Sequence, residues 1–174
     1  MSRRHFLRVS ALAAGAAVVP SWLLAQPACR SLSFVHTHTG ERLAVEYWAD
    51  GRYEPEALRE IDHLLRDFPT GDAHPIDRGL LDVLADLRTG LGTRQPFQVI
   101  SGYRSPATNA ALRAAGHGVA THSLHIQGQA IDVRIPGVRL ADLRRAAIDE
   151  RRGGVGYYPD SDFVHVDTGR IRYW

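Results

Sequence analysis

Two short stretches alternate so strictly that they limit the fold before anything else is read. Over residues 129–135, Ile131, Val133 and Ile135 fall on one side, and Ala130, Asp132 and Arg134 on the other. Over residues 162–167, Val164 and Val166 share one side, and Phe163, His165 and Asp167 the opposite one. Successive side chains of a strand point to opposite faces, so each stretch reads as a strand with one apolar, core-facing side. The other sides carry histidine and carboxylate. If the two strands are neighbours, His165 can face Asp132, with small Ala130 leaving room beside them.

The remaining pattern supplies the elements that such strands need. Residues 33–36 and 43–47 read as a hairpin across a turn ending at Gly40, and 98–101 as a further short strand. A helix opens at Pro55 with Leu58, Ile61 and Leu65 on one face; Leu80, Leu84, Leu87 and Leu91 form a second stripe that Gly90 and Gly92 terminate. Burying each such leucine contributes roughly 1.5–3 kcal/mol, so these stripes are core rather than partner faces. Ser105 and Pro106 make an N-cap and first-turn pair for a helix over 107–115. The expected architecture is α+β: a small single domain with a central, mainly antiparallel sheet and flanking helices.

Composition narrows the partners. The chain has 174 residues, 44% apolar and 23% charged, which suits one packed domain and excludes a disordered polymer. Net charge is only +2 and the arginines are scattered, so no nucleic-acid surface is expected. The single cysteine, Cys29, cannot close an internal disulfide. Residues 2–7, Ser-Arg-Arg-His-Phe-Leu, followed by an uncharged stretch over 11–25, resemble a twin-arginine export signal. Residues 1–28 are therefore expected to be that signal and 29–174 the working domain. The Tat machinery is then a partner, the location is periplasmic, and no membrane span remains after cleavage. An uncleaved anchor is the alternative, but the stretch is short for one.

The chemistry concentrates in Ser123-x-His125-x-x-Gly128-x-Ala130-x-Asp132. His125 enters from a loop, Gly128 permits a turn, and the strand bearing Asp132 follows. Two histidines and one carboxylate fill three of zinc's four tetrahedral positions and leave one for water, the pattern of a catalytic rather than a structural site. Metal-activated water and a polarised carbonyl are what amide hydrolysis requires. The plainer alternative leaves the three unconnected: a loop cap, a surface ion pair and a core histidine. His36-x-His38 lacks an adjoining carboxylate or third histidine and reads as structural. His117 and His122 read as solvated loop residues, and Tyr157 and Tyr158 either line a cleft or pack.

These residues resemble the LAS-type zinc peptidases, which include D-Ala-D-Ala carboxypeptidases and share their metal scaffold with Hedgehog signalling domains. The likeness is greatest to the branch resembling murein endopeptidase K. It rests on the 123–132 motif, on Gly153-Gly154-Val155-Gly156-Tyr157-Tyr158-Pro159, and on Phe163-Val164-His165-Val166-Asp167-Thr168-Gly169. The resemblance implies one zinc per chain on His125, Asp132 and His165. Arg104 then resembles the arginine that binds the scissile carbonyl, and Ser123 and Tyr103 resemble residues that touch substrate or support the site. The implied activity is hydrolysis of peptidoglycan cross-links at D-alanine–meso-diaminopimelate or diaminopimelate–diaminopimelate bonds. A D-Ala-D-Ala carboxypeptidase and a non-catalytic, zinc-stabilised peptidoglycan-binding domain are the alternatives. Relatives carry the general base as Glu or Asp three residues before the last histidine, or as His two before it. Here those positions hold Asp162 and Phe163, so Asp162 is expected to be the base, with Asp167 orienting His165 or serving in its place.

Overall fold

A computed structural model describes residues 29–116 and 119–174. The expected export signal and His117 lie outside them. Among the described residues there are eight strands: β1 (Cys29–His36), β2 (Arg42–Ala49), β3 (Arg52–Tyr53), β4 (Phe97–Ser101), β5 (Ala130–Arg134), β6 (Gly154–Tyr158), β7 (Phe163–Asp167) and β8 (Arg172–Tyr173). They form one sheet in the order β3-β2-β1-β4-β5-β7-β6-β8. The β1/β4 and β6/β8 pairs are parallel and the other five are antiparallel. The chain is a small α+β domain, as its alternation indicates.

Four helices accompany the sheet: α1 (Pro55–Leu64), α2 (Arg78–Gly90), α3 (Pro106–Ala114) and α4 (Leu140–Glu150). Three of them start for a local reason. Pro55 opens α1, where its missing N–H costs nothing. The Asp77 carboxylate accepts from Leu80 N–H to cap α2, and the Ser105 hydroxyl accepts from Thr108 N–H to cap α3. Ile61 and Leu65 of the first stripe and Leu80, Leu84 and Leu87 of the second are buried with Leu32, Phe34, Phe97, Ile131, Val133, Val164 and Val166 in a single core, and Leu58 and Leu91 pack at its edge. α1 packs on β2, α2 on β1 and α4, and α4 on β6 and β7. No described helix is long and apolar enough to cross a membrane.

The sheet thus gives its apolar side to the core and leaves the opposite side of β5 and β7 free to carry polar groups. Asp132 and His165 are directly paired in the β5/β7 register, so the two ligands expected from alternation stand opposite each other. β5 is reached through a 3-10 turn, Leu124–Gln127, that ends at Gly128 with φ 65°. A side chain at Gly128 would run into the carbonyl of Pro75 as well as face the left-handed backbone penalty. The turn is tight because nothing larger fits, and it lifts His125 over the end of β5.

Candidate metal centre

His125, Asp132 and His165 are all buried, and their ligating atoms converge. His125 Nε2 lies 3.2 Å from His165 Nδ1 and 3.4 Å from Asp132 Oδ1, and His165 Nδ1 lies 2.8 Å from the same oxygen. Ligands of a tetrahedral zinc, each about 2.0–2.2 Å from the ion, stand about 3.3 Å apart. The triangle therefore has the size of one face of such a site.

The protons of the two imidazoles strengthen the fit. His125 Nδ1 is 2.7 Å from the carbonyl of Gly102, which can only accept, so that nitrogen carries the hydrogen. His165 Nε2 is 3.0 Å from Asp167 Oδ2, which fixes its hydrogen in the same way. The two remaining nitrogens and the Asp132 carboxylate then aim lone pairs at one point. Such a point calls for a cation, and orienting the far nitrogen of each histidine is the usual support of a metal ligand. The same convergence acts on the proton. Burial works against a charged His165, but Asp132 and Asp167 outweigh it and raise its pKa to about 9. Asp132 is likewise pushed up by burial and pulled further down by both histidines, ending well below the usual carboxylate range.

Asp167 is saturated. Its two oxygens accept from the backbone N–H groups of Gly154 and Gly169, from two nitrogens of Arg172, and from His165. Burial raises its pKa, but these donors win and hold it far below the ordinary value. A carboxylate held by so many donors is well placed to orient His165 and is a poor proton acceptor. Asp162 stands elsewhere. It has φ 53°, its side chain is exposed, and it accepts from Arg134 Nη1 at 2.9 Å; it does not line the cavity over the triangle.

That cavity measures about 420 Å³ and opens directly onto the three converging residues. Arg104 forms part of its wall, buried, with Nη2 3.1 Å from Ser101 Oγ and 3.9 Å from Asp132 Oδ2. Burial pulls its pKa down, yet a guanidinium remains charged at any physiological pH. Ser123 caps the 3-10 turn by accepting from His125 N–H at 3.4 Å and also lines the cavity. His122 is exposed on the cavity wall. Tyr103 is not in the lining: its ring stacks on His74 at 4.9 Å. Of the two tyrosines, Tyr158 lines the cavity, whereas Tyr157 packs against the guanidinium of Arg144.

Several residues belong to the site without having announced themselves in the sequence. Asn109 is buried in α3, takes a contact from Arg104 Nη1 at 3.5 Å and donates to the carbonyl of Ala120, joining the arginine to the cavity loop. Arg172 and Trp174 reach the cavity from and just beyond β8, whose two residues are too short a run to show alternation. Only the glycine spacing at 153–156 hints that bulky groups approach that strand.

The chain is similar to known proteins along almost its whole length. The family model described as peptidoglycan L,D-endopeptidase MepK, an M15-type peptidase family, matches residues 25–174. The peptidoglycan L,D-endopeptidase MepK of Escherichia coli strain K12 is 46% identical over 99% of this chain and 97% of its own length. The protein of the same name from Shigella flexneri shows the same identity and coverage. The probable peptidoglycan L,D-endopeptidase MepK of Haemophilus influenzae is 42% identical over 99% of this chain and 95% of its own. With a buried His/Asp/His triangle at the foot of its cavity and this likeness along almost its whole length, the chain belongs to the MepK branch of the M15-like peptidases.

Proposed function

We propose that the protein is a zinc-dependent murein endopeptidase of the periplasm, delivered by the twin-arginine route. Its substrates are the peptide cross-links of peptidoglycan, at D-alanine–meso-diaminopimelate bonds, diaminopimelate–diaminopimelate bonds or both. The observation that carries the reading is the triangle of His125 Nε2, Asp132 Oδ1 and His165 Nδ1, open to a cavity that also holds Arg104. The names of the relatives, peptidoglycan L,D-endopeptidases, support the substrate class.

One zinc held by His125, Asp132 and His165 would supply a water acidified towards a pKa of about 7 and a Lewis acid for the amide carbonyl. The protein's own groups do the rest. Arg104 offers N–H donors to the carbonyl oxygen as that oxygen gains negative charge, and its burial makes those donors worth more than they would be in water. Ser101 and Asn109 hold its guanidinium in place. Asp167 keeps His165 in one tautomer and one orientation, and Ser123 supports the turn that carries His125. Asp162, the expected general base, is bound to Arg134 and does not line the cavity in which the water would attack, so Asp162→Asn is the test of whether it takes that proton.

Digestion of defined muropeptides, read by mass, tests the reading. The protein with zinc converts cross-linked dimers to monomers; a chelator stops the reaction and added zinc restores it. Dimers left intact by the metal-loaded protein overturn the proposal. Shortening of pentapeptides without dimer cleavage selects a D-Ala-D-Ala carboxypeptidase instead, and muropeptide binding without turnover selects a zinc-stabilised binding domain.

A further inference from the structure

The glycine run Gly153-Gly154-x-Gly156 has no part in the chemistry above, yet each glycine makes room for a neighbour of the site. A Cβ at 153 would overlap the backbone carbonyl of Asp167, and one at 154 would collide with the Arg172 guanidinium. A Cβ at 156 would stand 2.7 Å from Trp174 Cε2. Gly156 is the register partner of His165 on β6. The position from which a β6 side chain would flank the ligand is therefore given to the Trp174 indole, whose centre lies 5.4 Å from that of His165.

The indole is fixed on every side but one. Its backbone N–H donates to Val155 and its carbonyl accepts from Tyr157, which continues the strand pairing. Nε1 donates to the Tyr158 hydroxyl at 2.8 Å, and Tyr158 stacks on Phe163 at 4.6 Å. The Arg172 guanidinium sits 4.9 Å over the ring, itself anchored by Asp167. With all this support, 46% of Trp174 is still exposed, and it faces the cavity. A rigid, half-exposed tryptophan with an arginine at its edge has the composition of a binding hot spot: large contact area at little cost in conformational entropy.

We propose that Trp174 is a specificity-determining platform for the substrate residue beside the scissile bond. The chemistry fits a long, unbranched aliphatic side chain that ends in a carboxylate. The methylene chain lies on the indole, and the carboxylate meets the Arg172 N–H groups that Asp167 and Arg170 leave unused. Diaminopimelate has such a chain, with the cross-linking amine on the carbon that bears the carboxylate, and lysine keeps that amine and lacks only the carboxylate. This rests on the endopeptidase reading above.

The test compares the zinc-loaded wild type, W174A, W174F and G156A on muropeptide dimers containing diaminopimelate, and on dimers containing lysine in its place. W174A should raise KM for the diaminopimelate dimer about tenfold with kcat changed less than about threefold, because it removes the platform and leaves the ligands. W174F keeps an aromatic face and should recover most of the loss. G156A, which displaces the indole, should resemble W174A. Wild type should prefer diaminopimelate dimers over lysine dimers, and W174A should narrow that preference. An unchanged KM in W174A overturns the proposal. So does loss of bound zinc or a lowered Tm in W174A, which assigns the tryptophan a structural role. If wild type cleaves no dimer, the endopeptidase reading fails by itself. The platform is then judged by binding: fluorescence that responds to added dimer in wild type but not in W174F supports it, and no difference overturns it.

Discussion

Among the described residues two pairs of histidines have their rings close together, and only one of them has a geometry that could hold a metal ion. His125 and His165 come from a 3-10 turn and a strand 40 residues apart, yet each has its far nitrogen tied to an acceptor and its near nitrogen aimed at Asp132. His36 and His38 are neighbours in sequence at the end of β1, and their arrangement is the reverse. His36 Nδ1 accepts from the backbone N–H groups of His38 and Thr39, so its lone pair is spent on the turn. His38 stacks flat on Phe68 at 4.3 Å. The difference teaches that spacing alone does not make a ligand. What makes one is an acceptor behind the ring and a carboxylate in front of it.

The largest expected effect comes from removing a member of the first pair. His165→Ala should abolish stoichiometric zinc binding and lower the rate by at least about a thousandfold, a barrier increase of about 4 kcal/mol. Metal content by atomic emission and muropeptide turnover measure both. A His165→Ala protein that keeps its zinc and its rate would break the comparison outright. Next comes the acid that the histidine pair does not contain. Asp162→Asn tests the expected base: a loss of about a hundredfold in kcat with zinc content at wild-type level marks a proton acceptor that reaches the water. A wild-type rate would sink that assignment and leave His122, exposed on the cavity wall, as the group to mutate.

Asp167→Asn sharpens the comparison from behind the ligand. The amide keeps the shape but loses the charge that holds His165, and zinc should bind roughly 10–100-fold more weakly, the usual cost of disturbing a ligand's outer partner. Competition with a fluorescent chelator gives the number. Activity at saturating zinc should fall less than zinc affinity, since Asp167 touches His165 and four other donors and does not line the cavity. An Asp167→Asn protein that binds zinc as wild type does would mean that the Gly102 carbonyl behind His125 is sufficient orientation for the pair.

The parts of this design that are local are the parts that can be read from the chain. Alternation in β5 and β7 gives the faces of Asp132 and His165, and the Ser105–Pro106 pair gives the start of α3, because each depends on residues a few positions apart. The triangle itself could be anticipated since both strands present polar residues to one side. What the chain does not display is set by contacts across the sheet. Asp167 lies on the same face as His165, but only its five donors, from Gly154 to Arg172, distinguish an orienting acid from a base. Trp174 and Asn109 enter from distant elements, and neither sits in a pattern with a period. Asp162 is the instructive case: strict alternation turns it away from His165, whereas its positive φ breaks the alternation at the start of β7 and sets its carboxylate on Arg134, a residue of the Asp132 side of β5.

The smallest effect on activity should come from the second pair, where it is also the most telling. His36→Ala removes a buried ring that closes the β1–β2 turn and leaves two backbone N–H groups without their acceptor. Stability should fall by about 1–3 kcal/mol, the range for stranding polar groups and opening a small void. Zinc content and kcat/KM of the folded protein should not move, because β4 lies between the strand of His36 and the strand of Asp132, and among the described residues no metal-ligand cluster includes His36. Urea unfolding and metal analysis on the same preparation check both halves. A His36→Ala protein that loses zinc would show that the turn and the metal centre are coupled through the sheet, and the division between structural and ligating histidines would then lie in the fold as a whole rather than in each ring's immediate partners.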